Sequence, residues 1–187
     1  MLPTSSYAGT RDTAIDQTAP TSNYGTATTL RVDGDDGTGK DVYALLRWGS
    51  LTIPTGSTVK SVTLTLNVTN PTSGTYELYA LKRNWVETGA TWNQYASGSN
   101  WLIAGAKGTA DRGTTVLGTV TASSTGKRTI ILNAAGIALV QSWVNSPSTN
   151  NGILIADPIV SDGLVFDSRN ALTASNRPKL TVTYVAP

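Results

Sequence analysis

The side chains best suited to chemistry concentrate between residues 81 and 93, LKRNWVETGATWN. Two of the five tryptophans, Trp85 and Trp92, lie here with Arg83 and with Glu87, one of two glutamates. An indole offers a flat face to pyranose C–H groups and an N–H that donates a hydrogen bond. Trp92 is therefore a candidate sugar platform, and Trp101 is a second. The same rings also serve as plugs closing one end of a core, which is the expected role of Trp85. Glu87 sits beside a Thr-Gly turn and is expected to cap nearby backbone N–H groups. Glycoside cleavage would need a second carboxylate about 5–10 Å away, and the sequence pairs none with it.

Four cations extend the pattern. Arg83, Lys107, Arg112 and Arg169 could grip a carboxylated or sulfated sugar, because guanidinium meets carboxylate through two parallel hydrogen bonds. Ordinary pairing with the sparse aspartates is the other reading. Arg169 lies between a strand end and the last strand, where a buried arginine is expected to pin loop carbonyls. Asp33, Asp35, Asp36 and Asp41 crowd a glycine-rich loop. Carboxylates and carbonyls on such a loop suit Ca²⁺, although EF-hand spacing and a terminal glutamate are missing. A solvated turn is the alternative, and it applies equally to Asp111, a weaker metal candidate. No cofactor is required.

Other residue types are absent. There is no histidine and no cysteine. Ser-His triads, thiol chemistry, disulfides and nearly every zinc site are thereby excluded. Lys+Arg 14 against Asp+Glu 12 leaves a formal net charge of +2 with no block of one sign. Nucleic acid and membrane surfaces are therefore not expected partners. No apolar run approaches the roughly 18–20 residues that span a bilayer, so no membrane insertion is expected. Residues 1–14 lack the basic and apolar stretches of a signal peptide. The expectation is a chain used without Sec export, or an excised domain.

The elements that must position these residues are strands. Charged residues make up only 14%, and threonine, serine, glycine and asparagine fill the difference, as suits pleated strands and tight turns. Residues 28–32 alternate. In residues 42–48, Tyr43, Leu45 and Arg47 take one face and Val42, Ala44, Leu46 and Trp48 the other, which predicts a strand covered on both sides. Residues 58–69 alternate most clearly and are expected to form a hairpin with 75–81 through a four-residue loop, Pro71 to Gly74. Further strands are expected at 116–120, 127–132, 152–156, 163–168 and 179–185. One helix is predicted over 134–144, with Asn133 as N-cap, Ile137, Val140 and Val144 on one stripe, and Trp143 beside them as a staple. The fold class is all-β: an antiparallel β-sandwich of jelly-roll type with one short helix. One domain over 1–187 is expected, with residues 1–12 a flexible or interacting arm.

Seven motifs occur in order: Asn23-Tyr24-Gly25 with TTLRV, then ALLRW, VKSVTLTL, NWVETGATWN, ALVQSWVN, NNGILI, and FDSRN followed by RPKLTVTY. Together they resemble the DNRLRE or disaggregatase-related domain, a group that includes carbohydrate-binding modules appended to polysaccharide-degrading enzymes. Asn170 stands where that family often has glutamate. The resemblance implies a non-catalytic jelly roll that in some members binds acidic polysaccharide, on bacterial surface proteins or phage particles. The leading expectation is a non-enzymatic glycan-binding module, extracellular or at a cell surface, with a uronic-acid polysaccharide as partner. The alternative is a virion component using the same fold against capsid or tail proteins.

Overall fold

The computed structural model describes residues 9–34, 37–156 and 159–187. Period-two alternation resolves into two antiparallel sheets. The first runs, in spatial order, β1 (Thr10–Asp16), β3 (Val42–Trp48), β10 (Ile153–Ala156), β5 (Thr72–Leu81) and β8 (Arg112–Ala122). The second is built on β4 (Thr58–Asn70). One edge of β4 takes β9 (Gly126–Ile131), and the other takes β12 (Lys179–Val185) and β11 (Leu164–Asp167) end to end. β2 (Thr29–Val32) lies outside β11. A two-stranded hairpin, β6 (Gln94–Ala96) with β7 (Ser99–Asn100), stands apart. This is the expected β-sandwich.

The sheets share one core. Val42, Ala44, Leu46 and Trp48 of β3 face Val62, Leu64, Leu66 and Val68 of β4, with Tyr76, Leu78 and Phe166 between them. The helix α1 (Ala134–Asn145) closes this core with Val140, Trp143 and Val144. Its N-cap is Asn133, whose side chain accepts from the N–H of Ala135 at 3.0 Å and of Gly136 at 3.1 Å. Those two donors have no partner inside the helix, so the cap satisfies them.

A second core lies on the other face of the first sheet. Ile15, Tyr43, Leu45 and Leu154 point there and are covered by Trp85, Ala90, Trp92, Trp101 and Ala106. β3 and β10 are thus covered on both sides, as the continuous apolar run of β3 predicts. The covering layer is the loop-rich segment 82–111.

Two expectations are revised. β4 and β5 do not pair with each other; they belong to opposite sheets. The Pro71 to Gly74 stretch has hairpin chemistry, but each strand has one apolar face, and facing sheets let both faces share a core. Gly74 holds this corner, since a Cβ there would sit 2.1 Å from Val160 Cγ1. In addition, residues 1–8 of the expected arm lie outside the described residues, and Thr10, Arg11 and Asp12 are strand rather than flexible arm. They open β1 and pair with Trp48, Arg47 and Leu46.

Candidate functional site

Segment 82–111 is irregular, yet most of its polar groups are tied down. Trp85 is fully buried, and its indole N–H donates to Asn151 O at 2.8 Å. Asn23 extends one side-chain amide to both Glu87 O and Ala90 O, each at 2.7 Å. Gly25 leaves room for that turn: a Cβ would lie 2.4 Å from Glu87 O. Glu87 Oε1 accepts from the backbone N–H of Asp12 at 2.8 Å, in a strand 75 positions away rather than in its own turn, and from Arg169 Nε at 2.5 Å.

Arg169 therefore pins a carboxylate rather than loop carbonyls. Its own backbone N–H donates to Asp12 Oδ2 at 2.6 Å. Asp12 is buried, and its Oδ1 has no hydrogen-bond partner. Burial pushes its carboxyl up to about 7, against the Arg169 N–H, with the Glu87 charge adding to the rise and the Arg169 charge opposing it. Desolvation penalises the charged form of an acid, and a like charge nearby adds to the penalty. Asp12 and Glu87 do approach each other, but both are buried in this clasp.

The tryptophan expectations need correction. Trp92 and Trp101 are each 4% exposed, so neither offers a free ring face to a sugar. Trp92 packs on Tyr43, ring centres 5.3 Å apart, with Lys107 Nζ 5.1 Å from its centre. Gly105 abuts its ring: a Cβ there would be 2.6 Å from Trp92 Cζ2. Trp101 donates from its indole N–H to Thr91 O at 2.9 Å and packs on Tyr95. Large rings of this kind bury more area than any alternative in a loop layer, which is why they plug it.

Asp111 is no metal ligand in this arrangement. Its carboxylate accepts from the backbone N–H of Leu102, Ile103 and Gly108 at 3.0, 3.1 and 3.2 Å, and from Arg83 Nε at 3.1 Å. Four donors satisfy a buried anion and leave no open oxygen for a cation. Arg83 is committed to this pair and stacks near Tyr95. Of the aspartate loop, Asp35 and Asp36 lie outside the described residues. Asp33 pairs with Arg31, and Asp41 with Lys107 Nζ at 2.7 Å. Among the described residues no three acidic side chains converge as a metal ion would need.

Two clefts flank the 91–111 loops. The first, about 370 Å³, is lined by Thr91, Asn93, Gln94, Asn100, Trp101 and Ala104, with Thr21 at its edge. Trp101 lines it but is only 4% exposed. The second, about 250 Å³, is lined by Tyr79, Lys107, Gly108, Thr109, Arg112 and Thr114. It brings together two of the four expected cations, Lys107 and Arg112. The Arg112 guanidinium sits 4.5 Å from the Tyr79 ring centre, and Lys107 sits over Trp92 and Tyr43. Cation–π contact holds both groups, and the Asp41 pair holds Lys107 as well; Arg112 Nη1 is buried without a hydrogen-bond partner.

A match to the family described as carbohydrate-binding module family 96 covers residues 3–102. The chain belongs to that family. A search of curated proteins returns no match. The matched stretch carries the Asn23–Glu87 turn and all three tryptophans of the covering layer; Lys107 and Arg112 lie beyond it. Among the described residues of this family 96 module, no helix is long and apolar enough to cross a membrane.

Several residues of the module were not legible as site residues. Tyr79 reads as an ordinary strand aromatic, and Asn93, Gln94 and Asn100 as turn formers. Their amide groups share a cleft only because β6 and β7 fold back on each other. Asp12 carried no signal, since its partners lie in distant segments.

Proposed function

We propose that this family 96 module is a non-catalytic domain that binds an acidic polysaccharide, receiving sugar carboxylates at Lys107 and Arg112. The observation that carries the reading is the second cleft, where both cations are held over aromatic rings and bordered by Thr109 and Thr114. Arg112 suits bidentate carboxylate recognition, and the threonine hydroxyls can donate to or accept from sugar hydroxyls. The resemblance of its motifs to disaggregatase-related domains supports the same class of ligand. An extracellular or cell-surface setting follows from that ligand, and the chain acts in it as one unit.

Affinity electrophoresis through uronate, sulfated and neutral polysaccharides, with and without EDTA, tests the reading. Retardation by the anionic gels, weakening as salt rises, is expected. Loss of retardation in EDTA would assign a role to calcium. No retardation on any anionic glycan, together with assembly on a capsid lattice, would replace this reading with a virion one.

A further inference from the structure

Leu102 and Ile103 are 58% and 54% exposed, adjacent in the chain and in the middle of the loop between the two clefts. Scattered exposed apolar residues are ordinary. This pair differs in being held rigidly. The backbone N–H of each donates to the buried Asp111 carboxylate, which Arg83 and Gly108 N–H hold from other sides. Their neighbours Trp101 and Ala104 line the neutral cleft. On the other side, Leu102 abuts Gly108 of the cationic cleft, where a Cβ would come 2.7 Å from Leu102 Cβ. A cationic cleft, an apolar surface and an amide-lined cleft therefore follow one another along one loop.

We propose that Leu102 and Ile103 form a pre-organised apolar ridge that carries the C–H face of one sugar while its chain runs from the cationic cleft to the amide-lined cleft. The inference rests on the acidic-polysaccharide reading and assigns it a specificity determinant. A hexuronate is amphipathic in the required way: one edge carries the carboxylate, and the ring faces carry C–H groups. Carboxylates meet Lys107 and Arg112, and ring hydroxyls meet Asn93, Gln94 and Asn100. The ridge takes the role of the aromatic platform, because the tryptophans of this layer are committed to the core. Rigid presentation lowers the ordering cost of binding. A polymer should thus bind far better than a monosaccharide, which can occupy one position only.

The test is the double variant Leu102→Thr, Ile103→Thr, with its fold checked by circular dichroism. Binding is measured by calorimetry to polyuronates of manno-, gulo- and galacto-configuration, and to inorganic polyphosphate as an anion without ring faces. A loss of roughly tenfold or more in polyuronate affinity, with polyphosphate affinity unchanged, is expected. Unchanged polyuronate affinity overturns the ridge and leaves the acidic-polysaccharide reading standing. Equal loss on both probes also overturns it, since the residues would then act through the cations. Failure of the unsubstituted chain to bind any polyuronate overturns both.

Discussion

The backbone N–H of Asp12 donates to Glu87 Oε1 at 2.8 Å, joining the first strand to a turn 75 positions away. Arg169 completes the clasp by giving its Nε to Glu87 and its backbone N–H to Asp12. Three distant segments meet there: the start of β1, the tryptophan-bearing turn, and the loop before β12. Asn23 binds the same turn through its carbonyls. The clasp thus anchors the beginning of the layer whose later part carries both clefts.

Stability should depend on Asp12 in a direction opposite to that of an ordinary paired carboxylate. Its pKa rises from 3.8 to about 7 on folding, chiefly through burial. Between those values the folded chain holds a proton that the unfolded chain releases. Stability is therefore fullest below pH 4 in this term, falls as pH rises towards 7, and levels off above. The whole span is about 4 kcal/mol. Asp12→Asn keeps an acceptor for the Arg169 N–H and cannot ionise. Urea midpoints at pH 4.5, 6 and 8 should show the variant more stable than the parent at pH 8 and the two converging at pH 4.5. Parallel curves for the two chains would contradict the assignment.

Asn23→Ala removes one donor group from two carbonyls, Glu87 O and Ala90 O. A loss of about 2 kcal/mol is expected, the typical cost of leaving such acceptors unmet. Amide hydrogen exchange should quicken most in residues 86–92. Uniform quickening over the whole chain would show instead that the turn opens only with global unfolding.

Gly105 and Gly98 separate backbone strain from packing. Both have positive φ, 78° and 74°, but an added Cβ meets the Trp92 ring only at Gly105. Gly98→Ala should cost about 1 kcal/mol from strain alone. Gly105→Ala should cost more by about 2 kcal/mol, the usual range for overpacking, and should alter the near-ultraviolet dichroism of tryptophan. Equal destabilisation would mean that the Trp92 side of the loop yields freely.

Trp92→Ala distinguishes a core ring from a sugar platform. The ring is buried against Tyr43, so its removal should cost roughly 3–5 kcal/mol of stability. Trp92→Phe, which keeps most of the packing, should retain polyuronate binding within about threefold. Loss of binding in the phenylalanine variant at full stability would restore Trp92 as a ligand contact. Arg112→Gln should by contrast leave stability nearly unchanged and flatten the salt dependence of binding.

Residues 58–69 and 179–185 were legible as strands because alternation reports directly which side of a pleat is buried, and residues 42–48 because a short continuous apolar run marks a strand covered on both sides. The helix over 134–144 was legible for a similar reason, with Asn133 marking its start. The break between β4 and β5 was not, because Pro71 to Gly74 suits a tight hairpin and a sheet-to-sheet corner equally well. The length of β8 was also hidden: its threonines and glycines show little contrast between faces.

For the proposed site, residue types offered Arg83, Lys107, Arg112 and Arg169 alike; only the tertiary structure commits Arg83 and Arg169 to buried carboxylates and sets Lys107 and Arg112 on one cleft. Whether an indole faces water or a core is not a property of its type. Trp92 and Trp101 are buried because segment 82–111 folds over Tyr43 and Leu45 as a second layer. The Asp12–Glu87–Arg169 clasp was hidden for the same reason. Local sequence specifies the backbone's period and turns, whereas the partner of a buried charge is set by which distant segments the sheets bring together.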